Sequence, residues 1–278
     1  MPEPTVLVTG AGRGIGRAVA LAFLDAGWRA VAGVRDAADH PEHERLLVVP
    51  LDVSDPAAVR EAVARAEAFA GGALACVVNN AGYAVGGAQE DADLDAVREM
   101  FETNLFGAAG VTQAALPGMR RAGRGTVVYL SSIGDRICNP LFGFYHASKY
   151  GMAALAEALA VEGRPFGIRV LLVEPGMVET DFPRNVRLTG ALAAGDGPYA
   201  PLLDAVRAGM RGWRARYSVG ADDVAREVVR AVGDPEAGFR LPVGDDAEML
   251  GRERAEHDDA AWQDRLCRFL EVDWPRRA

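Results

Sequence analysis

Three side chains, Ser132, Tyr145 and Lys149, have the types and the spacing for proton transfer to or from an oxygen atom. Tyr145 and Lys149 are i and i+4, so they occupy one face of a helix. An ammonium group held beside a phenol favours the phenolate and lowers the pKa of tyrosine from about 10 towards neutrality. Such a tyrosine can act as a general acid or base on a carbonyl or an alcohol. A serine hydroxyl beside it can donate a hydrogen bond to the same oxygen and stabilise developing charge.

The composition draws attention to the lysine of this group. The 278-residue chain has 30 Lys and Arg residues, of which 29 are Arg, and Lys149 is the single lysine. Lysine is a compact point charge whose pKa can shift, whereas arginine is a planar fork that stays protonated. Because Arg serves almost everywhere else, a lone Lys one turn after Tyr145 favours a functional pair over a chance surface pair.

A fourth polar residue, Asn104, lies in an otherwise apolar part of the predicted helix Leu94–Met119. Asparagine is a poor helix former, so we expect its side chain to contact main chain or water.

A glycine-rich turn, TGAGRGIG, follows the first apolar segment and opens the first helical pattern. Its glycines, Gly10, Gly14 and Gly16, allow a tight turn and a close approach of an anion to the helix N-terminus. A lone glycine-rich match is weak evidence, but this position between a strand and a helix predicts a phosphate-binding turn.

Polar residues also follow two later strand patterns. Leu51-Asp52-Val53 follows one, and Asn79-Asn80-Ala81-Gly82 ends the next. Residues just past the carboxyl ends of parallel strands line the ligand crevice of such sheets. Asp52 has two interpretations: it accepts from an adenine amino group, or it forms a capping turn with Ser54.

Short apolar segments alternate with amphipathic ones along the chain. The predicted strands are Thr5–Thr9, Ala30–Val34, Leu46–Pro50, Cys76–Asn79, Thr126–Leu130 and Ile168–Val173, and the predicted helices are Ile15–Ala26, Pro56–Ala70, Leu94–Met119, Phe144–Glu162 and Ala221–Val232. This alternation predicts an α/β fold, a Rossmann-type doubly wound parallel sheet in three layers and one domain, residues 1–278. We expect Ser54 to cap the second helix, Gly27 to end the first, and any helix between residues 36 and 46 to be short or missing.

Composition excludes several classes of protein. With 39 acidic residues and a net charge of −9, the chain has no basic footprint for nucleic acid. Arg13 and Arg17 interrupt the apolar runs near the start, which argues against a signal peptide, and no apolar run is long enough for a membrane span. Three scattered cysteines favour a reducing, cytoplasmic compartment, and no His or Cys group has metal-ligand spacing.

Together these motifs resemble the short-chain dehydrogenase/reductase superfamily, in its compact branch with the TGxxxGxG turn. The matching elements are TGAGRGIG, NNAG, Asn104, Ser132, Tyr145-x-x-x-Lys149, Pro175-Gly176 and Thr180, in the family's order over residues 5–181. The resemblance implies a nicotinamide cofactor and a cofactor-binding and catalytic core in that range. It also implies a catalytic tetrad of Asn104, Ser132, Tyr145 and Lys149, with Ser131 as the nearby competitor for the serine.

Each member of the tetrad has an implied role. Tyr145 transfers the proton, Ser132 orients the substrate oxygen, Lys149 binds the nicotinamide ribose and lowers the pKa of Tyr145, and Asn104 holds a relay water. The expected cofactor-binding residues are Gly10, Gly12, Arg13, Gly14, Ile15, Gly16, Arg35, Asp52, Val53, Asn80, Ala81, Gly82, Tyr145, Lys149, Val173, Pro175, Gly176, Val178 and Thr180. His146 points about 100° round the helix from Tyr145 and is left out of the tetrad.

Two arginines bear on which nicotinamide is bound. Members of the family that prefer NAD usually carry Asp at the end of the second strand, where this chain has Val34 followed by Arg35. Arg35 and Arg13 suit a 2′-phosphate because guanidinium forks match phosphate oxygens. We therefore expect NADP(H), while Asp36 leaves NAD(H) open.

The substrate side is expected to be apolar. Residues 182–217 form a predicted lid, and the residues expected to contact substrate are Ser132, Leu141, Phe142, Tyr145, Met177, Phe182 and Trp213, with Tyr199, Leu202 and Leu203 nearby. The local sequence is similar to hydroxysteroid- and retinol-dehydrogenase-like members, which implies a medium-sized apolar ketone or secondary alcohol.

Alternatives remain for the function. Arginines in or after the lid (Arg184, Arg187, Arg207, Arg211, Arg214 and Arg216) either form a solvated face or contact an anionic carrier, as in a 3-oxoacyl-thioester reductase. From another class, the chain could be a dinucleotide-binding sensor or scaffold without catalysis.

Residues 245–274 form a predicted helical extension that covers the entrance to the substrate pocket or packs in an oligomer. The resemblance favours a homodimer or homotetramer.

Overall fold

The computed structural model describes residues 3–35 and 40–269, apart from the side chains of Pro183 and Arg184. Asp36, on which the option of NAD rested, and residues 270–274 of the predicted extension lie outside the described residues.

The strands of the described chain are β1 (Thr5–Thr9), β2 (Arg29–Val34), β3 (Leu46–Pro50), β4 (Cys76–Asn79), β5 (Ala84–Gly86), β6 (Gly125–Leu130), β7 (Ile168–Pro175), β8 (Val178–Glu179), β9 (Val186–Leu188), β10 (Val219–Gly220) and β11 (Arg240–Val243). Seven of them form one sheet in the order β11-β7-β6-β4-β1-β2-β3, and every pair in it is parallel. The strand order reverses between β1 and β4, which confirms the doubly wound α/β fold.

The helices of the described chain are α1 (Gly14–Asp25), α2 (Pro56–Ala70), α3 (Leu94–Phe101), α4 (Ala108–Ala122), α5 (Gly143–Glu162), α6 (Ala200–Tyr217), α7 (Ala221–Gly233), α8 (Asp245–Glu256) and α9 (Asp259–Phe269). One apolar layer joins the sheet to α2, α4 and α5 and contains Val59, Val111 and Met152. The opposite layer joins it to α1 and α7 through Val19 and Val228. Helices on both faces of one sheet give the three layers that the alternation predicted.

The predicted helix Leu94–Met119 is not continuous. It divides into α3, a π-helical turn over Glu102–Gly107, and α4. The π-helical turn contains Asn104. The side-chain amide of Asn104 makes hydrogen bonds with the main chain of Tyr83. A single π-helical turn of this kind is rare and often marks a functional site.

One smaller expectation was wrong, and one strand was not predicted. Ser54 does not cap α2, because Asp55 is the N-cap and its Oδ1 accepts from the Ala57 amide at 2.8 Å. The edge strand β11, with sequence RLPV, was missed because Arg240 and Pro242 interrupt its apolar pattern. Gly27 does follow the end of α1, with φ +86°, as expected of a helix-terminating glycine.

The region after β7 is held to the rest of the chain by two small sheets. Strand β8 pairs with β10, and β9 pairs with β5, both in parallel. Helix α6 lies between β9 and β10 along the chain. The predicted lid is therefore helical, with a strand of a small sheet at each end. Residues 40–45, which lead into β3, contain no helix.

Candidate active site

The carboxyl ends of the central strands open onto a cleft of about 1360 Å³. Residues from the turn after β1, from the ends of β4, β6 and β7, and from α5 all line it. The expected cofactor residues that line it are Gly10, Gly12, Arg13, Gly14, Ile15, Gly16, Arg35, Asp52, Val53, Asn80, Ala81, Gly82, Tyr145, Lys149, Pro175, Gly176, Val178 and Thr180. Val173 does not, because it is fully buried in β7 between Leu130 of β6 and Leu241 of β11.

The glycine-rich turn has the backbone that a phosphate-binding turn needs. Gly10 and Gly14 have φ of +63° and +54°, a left-handed conformation that suits glycine. A Cβ on Gly16 would lie 2.5 Å from the Gly10 oxygen and would also collide with the Asn80 amide. No side chain caps the N-terminus of α1, so the free N–H groups there fit the pyrophosphate of a dinucleotide.

Thr9 and Asn80 hold this turn in place. The Asn80 Nδ2 donates to the main-chain oxygens of Thr9 and Gly10 at 2.8 and 3.2 Å. The Thr9 hydroxyl accepts from the Asn80 and Ala81 amides, each at 3.0 Å. Thr9 was not among the site residues predicted from the sequence, although it directly precedes the first glycine of the turn.

The residues expected at the adenosine end are exposed at the cleft's rim. Asp52 Oδ1 accepts from the amide and hydroxyl of Ser54 at 2.9 and 2.7 Å, and these bonds hold the pKa of Asp52 below its usual range. Arg35 adds to that lowering of the pKa. Arg13 Nη2 donates to Asn185 Oδ1 at 2.6 Å. The turn with Ser54 is therefore present, and Asp52 still faces the cleft.

Tyr145 lies in the wall of the cleft, at the start of α5. Its ring centroid is 5.9 Å from that of Phe182 and 5.4 Å from that of His146. Removal from water raises the pKa of Tyr145 to about 12, although a hydrogen bond with the Ser132 side chain opposes the rise. The direction is opposite to the one we expected from Lys149, because burial raises the pKa of Tyr145 and the negative charge of Asp135 adds to the rise.

Lys149 follows one turn later on α5 and is 5% exposed. Its Nζ donates to the Leu130 main-chain oxygen at 3.0 Å. Burial lowers the pKa of Lys149 to about 8, and the negative charge of Asp135 partly offsets this. A buried lysine whose pKa lies near neutral pH can change its protonation state or bind a polar ligand.

Ser132 begins a short 3₁₀ turn after β6. Its Oγ accepts from the Gly134 amide at 3.1 Å and lies 3.4 Å from the Pro175 oxygen, to which it donates. Ser131, the alternative, is buried at 7% exposure, yet it also lines the cleft. The hydrogen bond to Tyr145 favours Ser132 for the expected role.

Asn104 differs from the other three tetrad residues because it does not line the cleft. It is fully buried, and its Oδ1 accepts from the Tyr83 amide at 3.0 Å. Its Nδ2 donates to the Tyr83 oxygen at 2.9 Å and to Ser148 Oγ at 3.0 Å. The contact with main chain is the one that we expected; it links the Asn80–Tyr83 loop to α5 through Ser148.

The expected substrate residues divide into two groups. Phe142, Met177, Phe182 and Trp213 line the cleft, together with Ser132, Tyr145 and Leu203. Leu141 does not: it has φ +67°, is 8% exposed, and packs in a cluster with Ala88 and Leu192. Its left-handed backbone turns the side chain into that cluster and away from the cleft. Tyr199 and Leu202 pack against the same cluster and are also absent from the lining.

His146 is a residue whose part we left open. It is buried, and its Nε2 accepts from the Asn139 amide at 3.1 Å. The proton is therefore on Nδ1, which lies 2.9 Å from the Gly134 oxygen. Burial lowers the pKa of His146, so the neutral ring fixes the turn that carries Ser132.

The helices at the C-terminal end also reach the cleft, which the sequence left undecided. Leu250, Trp262, Leu266 and Phe269 of α8 and α9 line it, and Phe269 packs against Trp213 of α6. Within residues 3–35 and 40–269, no helix is long and apolar enough to cross a bilayer. In the same part of the chain no three His, Cys, Asp or Glu side chains form a group that could hold a metal ion.

A glycine-rich turn with an uncapped helix N-terminus, beside a Ser, Tyr and Lys group at the carboxyl ends of a parallel sheet, is typical of a dinucleotide-dependent oxidoreductase. A family model described as short chain dehydrogenase matches residues 4–190, and the chain belongs to that family. It is an oxidoreductase that acts on a CH–OH group with a nicotinamide dinucleotide.

Individual relatives agree with this assignment. A 3-ketodihydrosphingosine reductase of Bacteroides thetaiotaomicron is 38% identical over 185 residues, which are 66% of this chain and 68% of that protein. The crystal structure of a short-chain dehydrogenase from Streptomyces avermitilis has 30% identity and a TM-score of 0.81, over 97% of this chain and 96% of that one. A short-chain dehydrogenase from Burkholderia cenocepacia, in complex with NADP, has 25% identity and a TM-score of 0.74, over 95% and 97%.

Proposed function

We propose that the chain is an NADP(H)-dependent oxidoreductase that interconverts a ketone and a secondary alcohol on a medium-sized apolar substrate. The observation that carries the proposal is that Ser132, Tyr145 and Lys149 line one cleft together with the glycine turn. Proton-transferring side chains and a dinucleotide cradle therefore share one space.

Tyr145 is the general acid in ketone reduction and the general base in the reverse reaction. With its pKa raised to about 12, the phenol holds its proton near neutral pH and can donate it to a carbonyl oxygen. Ser132 donates to the same oxygen, which stabilises the charge that develops there. The nicotinamide dinucleotide, when bound, supplies or accepts the hydride.

Lys149 and Asn104 support this proton transfer in different ways. Lys149 lies one turn after Tyr145 and contributes a buried positive charge beside it. Asn104 orders the Tyr83 main chain and Ser148, and the Ser148 hydroxyl in turn donates to the Tyr145 main-chain oxygen at 2.7 Å. We propose that Asn104 positions the start of α5 in this way.

The 2′-phosphate of NADP would be bound by Arg13 and Arg35. Both residues line the cleft and are exposed, Arg13 within the glycine turn and Arg35 directly after β2. Asp52 and Val53 line the same end and fit the adenine. The neighbour that was solved in complex with NADP supports the same choice of cofactor.

The substrate pocket would be covered by residues 182–217, acting as a lid, and by the extension that starts at residue 245. Its wall is apolar and aromatic: Phe142, Met177, Leu203, Val206, Met210, Trp213, Leu250, Trp262, Leu266 and Phe269 line the cleft. Such a wall fits a hydrophobic ketone. The relative named as a 3-ketodihydrosphingosine reductase supports a ketone as the reducible group.

A 3-oxoacyl-thioester is the alternative substrate, and arginines in the same wall favour it. Arg187, Arg207, Arg211 and Arg214 line the cleft. Arg187 pairs with Glu99 at 3.1 Å, and Arg214 donates to the Val178 oxygen at 3.2 Å. Arg207 lies 3.9 Å from Asp204, a weak exposed pair, so it and Arg211 are the two best placed for an anionic carrier.

The experiment is a turnover assay that follows the absorbance of reduced cofactor. Purified protein is given NADPH with cyclohexanone, 2-decalone, 3-ketodihydrosphingosine or acetoacetyl-coenzyme A, and each assay is repeated with NADH. We expect 2-decalone to be reduced with NADPH, and Tyr145→Phe to abolish turnover while binding NADPH normally. Tyr150→Phe is the matched control, because Tyr150 lies on the same helix and is 42% exposed.

Each other outcome selects another interpretation. Turnover of acetoacetyl-coenzyme A alone favours the carrier-bound thioester. Tight NADPH binding with no turnover of any probe favours a sensor or scaffold. Equal or better turnover with NADH contradicts the assignment of NADP.

Static light scattering tests the proposed homodimer or homotetramer. The cytoplasmic location stays a prediction.

A further inference from the structure

A buried carboxylate, Asp246, joins three segments of the chain beside the cleft. It is the second residue of α8 and is 1% exposed. Its Oδ2 accepts from the Met177 amide at 2.8 Å and from the Trp213 indole Nε1 at 3.2 Å. Its Oδ1 lies 3.0 Å from the Ala247 amide. Met177, Trp213 and Asp246 all line the cleft.

This carboxylate approaches the backbone closely, and two glycines make room for it. A Cβ on Gly176 would collide with both carboxylate oxygens of Asp246. A Cβ on Gly244, which has φ +102°, would lie 2.8 Å from Oδ1. The turn after β7 and the N-terminus of α8 are therefore packed directly on this side chain.

The surroundings of Asp246 stabilise it through N–H groups. No Lys or Arg partner of Asp246 occurs within the described ranges. Burial raises the pKa of Asp246, while the bonds from Met177, Trp213 and Ala247 oppose the rise. A carboxylate can be buried without a counter-ion when several N–H donors and a helix N-terminus face it.

Trp213 is the member of this arrangement that belongs to α6. It lies on α6, in the predicted lid, and its ring centroid is 3.8 Å from that of Phe269 and 4.3 Å from that of Tyr217. It also packs against the cluster of Ile133, Ile137 and Leu250. Without the bond to Asp246, its indole N–H would be left without that acceptor in a largely apolar setting.

We propose that Asp246 is a positioning residue for the substrate pocket: it holds Trp213 of α6 against the Gly176–Met177 turn and thereby determines which ketones fit. The inference rests on the proposed function, since it assigns the specificity of the same cleft. Asp246 acts through Trp213 and not on the reacting atoms.

The test compares Asp246→Asn and Trp213→Phe with two matched controls. Asn keeps the shape of Asp but replaces one acceptor by an NH2 group, and Phe keeps the ring but removes the indole N–H. Asp245→Asn changes the exposed neighbour in the same helical turn. Trp28→Phe changes a tryptophan that packs on Phe23, away from the cleft.

The readout is the ratio of kcat/KM for 2-decalone to kcat/KM for cyclohexanone, with NADPH saturating. We expect both site variants to lower this ratio roughly 10-fold, through KM, because a hydrogen bond to a charged group is lost. The controls leave it within about 2-fold. The double variant falls no further than the stronger single variant, because the two residues act through one contact.

A second readout does not need turnover. Trypsin cuts after Arg, and α6 carries Arg207, Arg211, Arg214 and Arg216. Loosening of α6 speeds tryptic cleavage there in Asp246→Asn and Trp213→Phe, and not in the two controls. If wild type reduces no ketone, the proposed function fails. The cleavage pattern still tests whether the contact between Asp246 and Trp213 holds α6 in place. An unchanged substrate ratio in both site variants, or unchanged cleavage in both, overturns the inference.

Discussion

Lys149 Nζ donates a hydrogen bond to the main-chain oxygen of Leu130, 3.0 Å away, and so ties helix α5 to the end of strand β6. Ser132 follows Leu130 by two residues, and Tyr145 precedes Lys149 by one helical turn. The single lysine of the chain therefore links the two elements that carry the proposed acid and its serine partner.

The first prediction concerns Lys149→Arg, which keeps the charge. Arg is longer, presents a planar fork and stays protonated, while this site buries a point charge whose pKa is lowered to about 8. We expect kcat/KM for 2-decalone to fall by roughly 100-fold or more. Arg60→Lys, on the exposed face of α2, is the control for an exchange of these residue types. Activity within about 2-fold of wild type would contradict the role of Lys149.

The second prediction concerns the cofactor. Arg35 is exposed, lines the cleft and acts electrostatically on Asp52. If it binds a 2′-phosphate, Arg35→Ala should raise the Kd of NADPH about 10-fold and leave that of NADH within about 2-fold. Arg60→Ala serves as the control for loss of a surface charge. Equal weakening of both nucleotides, measured by calorimetry, would remove the basis for NADP.

The strands show how far the sequence determines the fold. Thr5–Thr9 and Cys76–Asn79 are predicted to the residue, because an internal parallel strand is an apolar segment with clear ends. Strand β3, at one edge of the sheet, keeps an apolar sequence and is also predicted to the residue. Strand β11, at the other edge, pairs with β7 alone, so Arg240 and Pro242 are tolerated in it, and they interrupt the apolar pattern that would have predicted it. The local pattern of apolar residues does not reveal a strand that forms because it pairs with a neighbouring strand.

The same limit applies to the site. The glycine turn and the Tyr145–Lys149 pair depend on residues close together in sequence, so their spacing predicts them. The π-helical turn at Asn104 depends on Tyr83, 21 residues away, and the contact of Asp246 depends on Met177, 69 residues away. Contacts at such separations arise from packing, which one sequence does not reveal.

The third prediction separates two glycines. A Cβ on Gly16 would lie 2.5 Å from the Gly10 oxygen, so Gly16→Ala must distort the glycine turn that we propose binds phosphate. We expect loss of NADPH binding and a lower Tm. A Cβ on Gly110, within α4, would meet nothing within 4 Å, so Gly110→Ala should raise stability by up to about 1 kcal/mol. Normal NADPH affinity in Gly16→Ala would contradict the proposed cradle.

The fourth prediction concerns the buried carboxyl pair behind Ser132. The side chains of Asp135 and Glu174 are both fully buried, and Arg136 donates to Glu174 twice, at 2.8 Å each. Arg240 lies 3.4 Å from Asp135 and also bonds to Glu174. Burial and then the neighbouring Glu174 raise the pKa of Asp135, and the charge of Arg240 opposes the rise.

The sign of the resulting pH dependence follows from proton counting. The unfolded chain loses the Asp135 proton near pH 4, about its unperturbed pKa, whereas the folded chain keeps it to higher pH. The folded state thus binds more protons in that interval, and the free energy of unfolding falls as pH rises through it. Asp135→Asn carries no such proton, so its stability relative to wild type should increase between about pH 5 and about pH 9. Urea denaturation across that range measures the difference, and Asp25→Asn, which changes an exposed carboxyl at the end of α1, is the control. Parallel curves for wild type and Asp135→Asn would contradict the raised pKa of Asp135 in the folded state.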